Sequence, residues 1–180
     1  MRLPAMALAV LLALAGLGLP ACGSSSKRTT GEEGELVHAG EAVYQVQLTR
    51  LLNTHIRPDD AYLRGQLPVQ GKEQYLGVFL QIKNEGKSDY LPPRDMKVVD
   101  TVGNEYLPLD AAQSGFGLDF GEPIPPGDHV PPPDSPASSG PVDGSLVLFK
   151  VKQVSATENL PLELEIPTGG DSSSSIELDI

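Results

Sequence analysis

Tryptophan is absent from this chain and cysteine occurs once, at Cys22. The region after Cys22 therefore has no disulfide framework, no thiolate metal site and no thiol nucleophile. The missing Trp and Cys pair also rule out the antibody-type core, in which a buried Trp packs on an inter-sheet disulfide. Basic residues are scarce, with 13 Lys and Arg against 24 Asp and Glu and a net charge of −11. That balance argues against nucleic acid and against an anionic lipid surface as partners, although solubility alone also accounts for it. The apolar run at 3–20 falls short of the roughly 20 residues a spanning helix needs. Pro4, Gly16, Gly18 and Pro20 weaken it further as a permanent helix.

What stands at the N-terminus instead is an export signal: a positive start at Arg2, an apolar segment, then small residues around Ala21 and Cys22. Leu19, Pro20, Ala21 and Cys22 resemble the lipobox of bacterial lipoproteins, with Pro20 a mild departure from its usual small or hydroxylated second position. That resemblance implies a diacylglycerol thioether on the Cys22 sulfur, cleavage after Ala21, and acylation of the new amino terminus. Two or three chains anchor stably where one binds only marginally. Residues 1–21 are read as the signal peptide. Residues 22–40 are read as a flexible tether, because they are rich in Gly, Ser, Thr and Glu and have little to bury.

Residues 41–180 form the expected domain, long enough for one self-supporting core. Their signal has period two. In VYQVQL (43–48), Tyr44, Val46 and Leu48 share a face. Leu76, Val78, Leu80 and Ile82 alternate with Gly77, Phe79, Gln81 and Lys83. Further strands are expected at 96–99, 105–109, 147–152, 160–166 and 176–180, with Gly103 and Asn104 suited to a hairpin turn. About seven strands and no persuasive helical period predict an all-β, immunoglobulin-like antiparallel sandwich with one wet face per sheet.

Two irregular regions interrupt the pattern. Residues 49–74 hold turn residues and a short strand near 62–67, and 111–141 include the proline run PIPPGDHVPPPDSP. Prolines lack the amide donor a central strand needs, and long loops on a sandwich commonly carry binding. Phe116, Phe120, Pro126 and Pro131 are the candidate binding residues of the second loop. The two rings serve either as caps on the core, the favoured role, or as exposed anchors.

Catalytic constellations are not found. His38, His55 and His129 are scattered, with no zinc-ligand spacing. GFGLDFG at 115–121 is followed by prolines rather than the helix a phosphate loop requires. Glu163 with Glu165, and Glu177 with Asp179, alternate with apolar residues and read as a solvated strand face. Asp59, Asp60, Asp100 and Asn104 offer oxygens to calcium, but turn chemistry explains each. No serine lies in a GxSxG elbow. Neither a catalytic residue nor a metal or other cofactor is expected.

Taken together, the lipobox, the strand ending in Asn84-Glu85-Gly86, VDTVGNEY at 99–106, and Pro126-Gly127-Asp128 upstream of LVLF at 146–149 resemble a known group. It is that of bacterial lipoproteins of unknown function whose immunoglobulin-like domain is similar to the secreted immunogenic proteins of mycobacteria. The resemblance spans about 42–180 and implies fold and export, without catalytic residues. The long proline run at 131–136 departs from it. The expected role is a membrane-anchored, extracytoplasmic, non-enzymatic interaction module that meets an envelope protein or a ligand through 111–141 and 53–74. The rival readings are a structural or assembly factor of the envelope and a metal-dependent envelope hydrolase.

Overall fold

Residues 30–39, assigned above to the tether, hold two short strands joined by a turn. The computed structural model describes residue 27 and residues 29–180, and its first elements are β1 (Thr30–Glu32) and β2 (Val37–Ala39). β1 adds to the sheet edge in parallel, Thr30 opposite Ser175 and Glu32 opposite Glu177. β2 forms a hairpin with β3 (Ala42–Leu52), Val37 opposite Tyr44. Three residues are too few to establish a side-chain period, so the polar setting concealed them, although Val37 and Ala39 of β2 are buried on either side of His38. Among the described residues the first strand thus begins at Thr30 rather than after residue 41.

After β3 come α1 (Asp59–Tyr62), one helical turn, then turn and irregular chain where the sequence predicts a short strand near 62–67, and then β4 (Glu73–Asn84). The next strands, β5 (Lys97–Val99) and β6 (Glu105–Tyr106), pair around the Gly103 turn, whose φ of 84° suits glycine. β7 (His129–Val130), α2 (Pro136–Ser139), β8 (Ser145–Lys152), β9 (Leu162–Gly169) and β10 (Ser172–Leu178) follow. One sheet runs β1-β10-β9-β5-β6; the other runs β2-β3-β4, with β7 and β8 both pairing along the far side of β4. The fold is an all-β, two-sheet sandwich.

The main core lies between the sheets. Tyr44, Val46, Leu76, Val78, Leu80 and Ile82 of one meet Val98, Leu162, Leu164, Ile166 and Ile176 of the other. Leu48 does not join them. The register of β3 against β4 shifts between Val46 and Leu48; this bulge at Gln47 moves Leu48 to the opposite face, because one extra residue inverts a period of two.

On that face a second core replaces the expected wet surface. Phe79, Tyr75, Leu52, Leu146 and Leu148 are buried there beneath Tyr62, Leu63 and Ala111, with Leu48 packed alongside. Gly77 sits in the middle, where a Cβ would come within 2.8 Å of a Leu52 methyl and 3.1 Å of one from Leu146. Apolar residues at both parities of β4 and β8 record a sheet buried on both sides.

Each end of the sandwich has its own loops. At one end lie the start of β4 and the end of β8, Glu73 opposite Lys152, with the 53–72, 100–104 and 153–161 loops. Gln153 N–H donates to Lys72 C=O at 2.8 Å and Thr101 N–H to Asn159 C=O at 3.2 Å, so these loops adjoin. At the other end lie Asn84 and the start of β3, Ala42 opposite Asn84. Chain entry is there too, since Lys27 and Thr29 share a cleft with Gly40, Gly169 and Ser172.

Candidate functional site

The chain at 109–118, ahead of the proline run, is laid against β8. Leu109 N–H donates to Leu148 C=O at 2.7 Å, Leu146 N–H to Phe116 C=O at 2.8 Å and Leu118 N–H to Leu146 C=O at 2.9 Å. Phe116 stands edge-on to Tyr62, ring centres 4.9 Å apart, and Phe120 packs on the main core with the Arg94 guanidinium 5.8 Å over its ring. Both rings cap the core. Pro131 is buried, and Pro126 is exposed in the turn closed by Asp128 N–H on Pro125 C=O at 3.1 Å. Of the four predicted binding residues, three are committed to packing.

The 53–72 loop is built differently. Its base is fixed by Arg50, which donates to the Asp59 carboxylate, while the Asn53 N–H donates to the other Asp59 oxygen at 3.0 Å. Asn53 in turn accepts from His55 N–H at 2.9 Å. Tyr62 and Leu63 plug into the second core. The Tyr62 hydroxyl, beside this ion pair, is buried without a hydrogen-bond partner among the described residues, and burial raises its pKa.

Beyond Leu63 the chain runs outward. Among the described residues two side-chain bonds tie it back, Tyr75 OH to Leu67 C=O and Gln66 Nε2 to Asp110 C=O, both at 2.6 Å. Leu67 is 80% exposed and Ile56 is 53% exposed. Between the loop and the ends of β3 and β4 lies a cleft of about 330 Å³, its walls formed by Leu51, Leu52, Pro68, Val69 and Tyr75. Sequence reasoning passed over this cleft. The signal for it is the apolar trio Leu67-Pro68-Val69 inside a polar loop bounded by Gly65 and Gly71.

At the same end, Asp100 is buried and surrounded by donors. It accepts from Ser155 Oγ (2.6 Å), Asn104 Nδ2 (2.7 Å), Asn104 N (2.8 Å), Asn159 Nδ2 (3.1 Å) and Val102 N (3.2 Å). Burial alone would raise this carboxyl; the bonds from Ser155, Asn104 and Asn159 outweigh it and hold it far below the usual carboxylate range.

A cation needs a ring of lone pairs, whereas Asp100 faces N–H and O–H groups and Asp59 faces a guanidinium. No group of three or more His, Cys, Asp or Glu side chains able to hold a metal is found among the described residues. His38 lies on β2, His55 on the 53–72 loop and His129 on β7. Glu163 and Glu177 are exposed opposite each other on β9 and β10, and Glu165 meets Lys97 at 3.4 Å. Ala21 and Cys22 lie outside the described residues.

What the fold defines is a β-sandwich domain with a pinned scaffold and one outlying loop. Among solved structures it is similar to an uncharacterized β-sandwich protein from Clostridium difficile, with 15% identity over 85% of this chain and 95% of that one and a TM-score of 0.49. The yjhA protein from Bacillus subtilis is similar at 11% identity over 83% and 99%, TM-score 0.48. A secreted protein from Mycobacterium tuberculosis, MPT63, is similar at 15% identity over 84% and 96%, TM-score 0.46. No family model matches the chain, and no curated protein sequence does. Among the described residues, no helix is long and apolar enough to cross a membrane.

Proposed function

We propose that this chain is a lipid-anchored, extracytoplasmic, non-enzymatic interaction module whose working surface is the 53–72 end of the sandwich. The observation that carries the reading is the placement of that loop at the end opposite chain entry. β4 runs the full height, Glu73 at one end and Asn84 at the other, about 36 Å at the rise of a strand. Cys22 precedes Thr29 by so few residues that a stretched linker reaches only about 24 Å. A domain on that leash stands with its entry end toward the bilayer and its 53–72 loop outward. The two buried carboxylates, Asp59 and Asp100, are tied into structural pairing, which favours a binding role over an acid-base one.

Mass spectrometry of the mature N-terminus, with and without Cys22→Ala, tests the anchor. A diacylated Cys22 lost in the variant is the expected result, and a free, unlipidated N-terminus in the wild-type protein overturns it. Photocrosslinkers placed at Leu67 and at Pro126 in intact cells test the surface. Adducts from position 67 and not from 126 are expected; the reverse pattern would return the role to the proline loop.

A further inference from the structure

We infer that the cleft beside Val69 and Tyr75 takes an apolar side chain from an acidic segment of a partner protein. The inference rests on the reading of the chain as an interaction module and adds the chemistry of what it meets. Charge is the deciding observation. The chain as a whole is at −11, yet none of the nine residues lining this cleft is Asp or Glu.

The loop and the first residue of β4 carry Arg57, Arg64 and Lys72 against Asp59, Asp60 and Glu73, and Glu73 lies 3.5 Å from Lys150. Asp59 is buried on Arg50, and Asp60 lies 4.0 Å from Arg57. Arg64 and Lys72 are exposed and pair with no carboxylate among the described residues. Further along the same end, Lys152 donates to the neutral Asn104 side chain at 3.1 Å and pairs with no carboxylate among the described residues.

Two exposed cations without a carboxylate partner, Arg64 and Lys72, thus sit on the loop that walls an apolar slot, on an otherwise acidic molecule. An acidic partner is repelled by most of this surface and admitted here, so attraction and exclusion act together to give specificity. Leu67 at 80% and Ile56 at 53% exposure supply apolar area on the loop that lines the slot. The volume, about 330 Å³, is at the small end for a ligand site, which suits a side-chain anchor better than a whole cofactor.

The test uses the full-length protein in nanodiscs of neutral lipid and three fluorescent heptapeptides, each with a central Phe flanked by Glu, Gln or Lys. The Glu-flanked peptide is expected to bind about tenfold more tightly than the Gln-flanked one, with affinity falling as salt rises, and the Lys-flanked one more weakly still. Arg64→Glu with Lys72→Glu should reverse that order, and Leu67→Ser should weaken all three alike.

Unchanged urea midpoints in these variants, all at exposed positions, separate lost binding from lost folding. Equal binding of the three peptides, no binding, or indifference to the charge reversal overturns the inference. An unlipidated Cys22 with intact peptide selectivity would sink the anchor alone; lipidated Cys22 without selectivity would sink the partner chemistry alone.

Discussion

The Ser155 hydroxyl donates to the Asp100 carboxylate at 2.6 Å, joining the loop after β8 in one sheet to the hairpin after β5 in the other. The Tyr106 hydroxyl and Ser155 are 2.7 Å apart, which extends the clasp. Asn84 does the equivalent work at the opposite end. Its Nδ2 donates to Ile124 C=O at 2.7 Å and Ser88 C=O at 2.8 Å, and its backbone C=O accepts from Gly127 N–H at 2.9 Å. The loops are pinned at both ends by one buried polar side chain apiece. The stretch from Arg64 to Gly71 lies outside both clasps, and this is where the scaffold leaves surface free.

Asp100→Ala should cost about 2–4 kcal/mol, since it strands several buried donors at once. The pH dependence has a definite sign. With the folded-state pKa far below normal, the unfolded chain takes up this proton first as pH falls. The stabilisation is therefore complete above about pH 4 and drains away below it. Asp100→Asn lacks that proton, so the gap between wild-type and variant urea midpoints should narrow from pH 6 to pH 2.5. A constant gap would mean that the carboxylate's charge contributes nothing.

The second core predicts two losses. Leu148 is 0% exposed on the face that simple alternation assigns to water. Leu148→Lys should therefore destabilise by more than about 3 kcal/mol, as an unpaired buried charge does. Phe79→Ala should cost about 3–5 kcal/mol through its cavity. Chemical denaturation measures both, and a neutral Leu148→Lys would show that face to be wet.

Those residues also show what was legible beforehand. Period two located the longer strands, since Leu76 to Ile82 and Leu162 to Ile166 place one side chain in two in the main core. It failed at Leu48, because a bulge is set by pairing with β4 and leaves no mark in VYQVQL itself. It failed at Phe79 and Leu148 because what covers them, Tyr62 and Ala111, comes from segments read as loop. Asp100 was recognised as a turn former, and its bonds to Val102 and Asn104 follow from that. Ser155 and Asn159 are brought to it by topology, so no local spacing could reveal them.

Arg50 and Asp59 form a cross-loop ion pair with the acid nearly fully buried. Arg50→Met leaves that carboxylate without its cation and should cost about 3 kcal/mol. Asp59→Asn in the same background should recover part of the loss, because the amide needs no counter-charge and its oxygen still accepts from Asn53 N–H. A double-mutant cycle in urea reads the coupling. Strictly additive single effects would show the pair to be energetically idle.

Proteolysis separates the two long loops. Thermolysin, which cuts before bulky apolar residues not themselves followed by proline, has targets in both: Val69 in one, Phe116 and Leu118 in the other. Cleavage requires several residues to leave the surface and extend into the enzyme, so its rate follows the free energy of local opening. Around Phe116 and Leu118 that opening breaks two main-chain bonds to β8 and extracts a ring from beside Tyr62. Around Val69 it breaks the Tyr75 and Gln66 side-chain bonds and removes little apolar area from burial. The first cuts under native conditions should therefore fall at 68–69, and Tyr75→Phe, which deletes one of those two bonds, should quicken them without changing the rate at 115–118. First cleavage in the proline-rich loop would show that loop to be the free one.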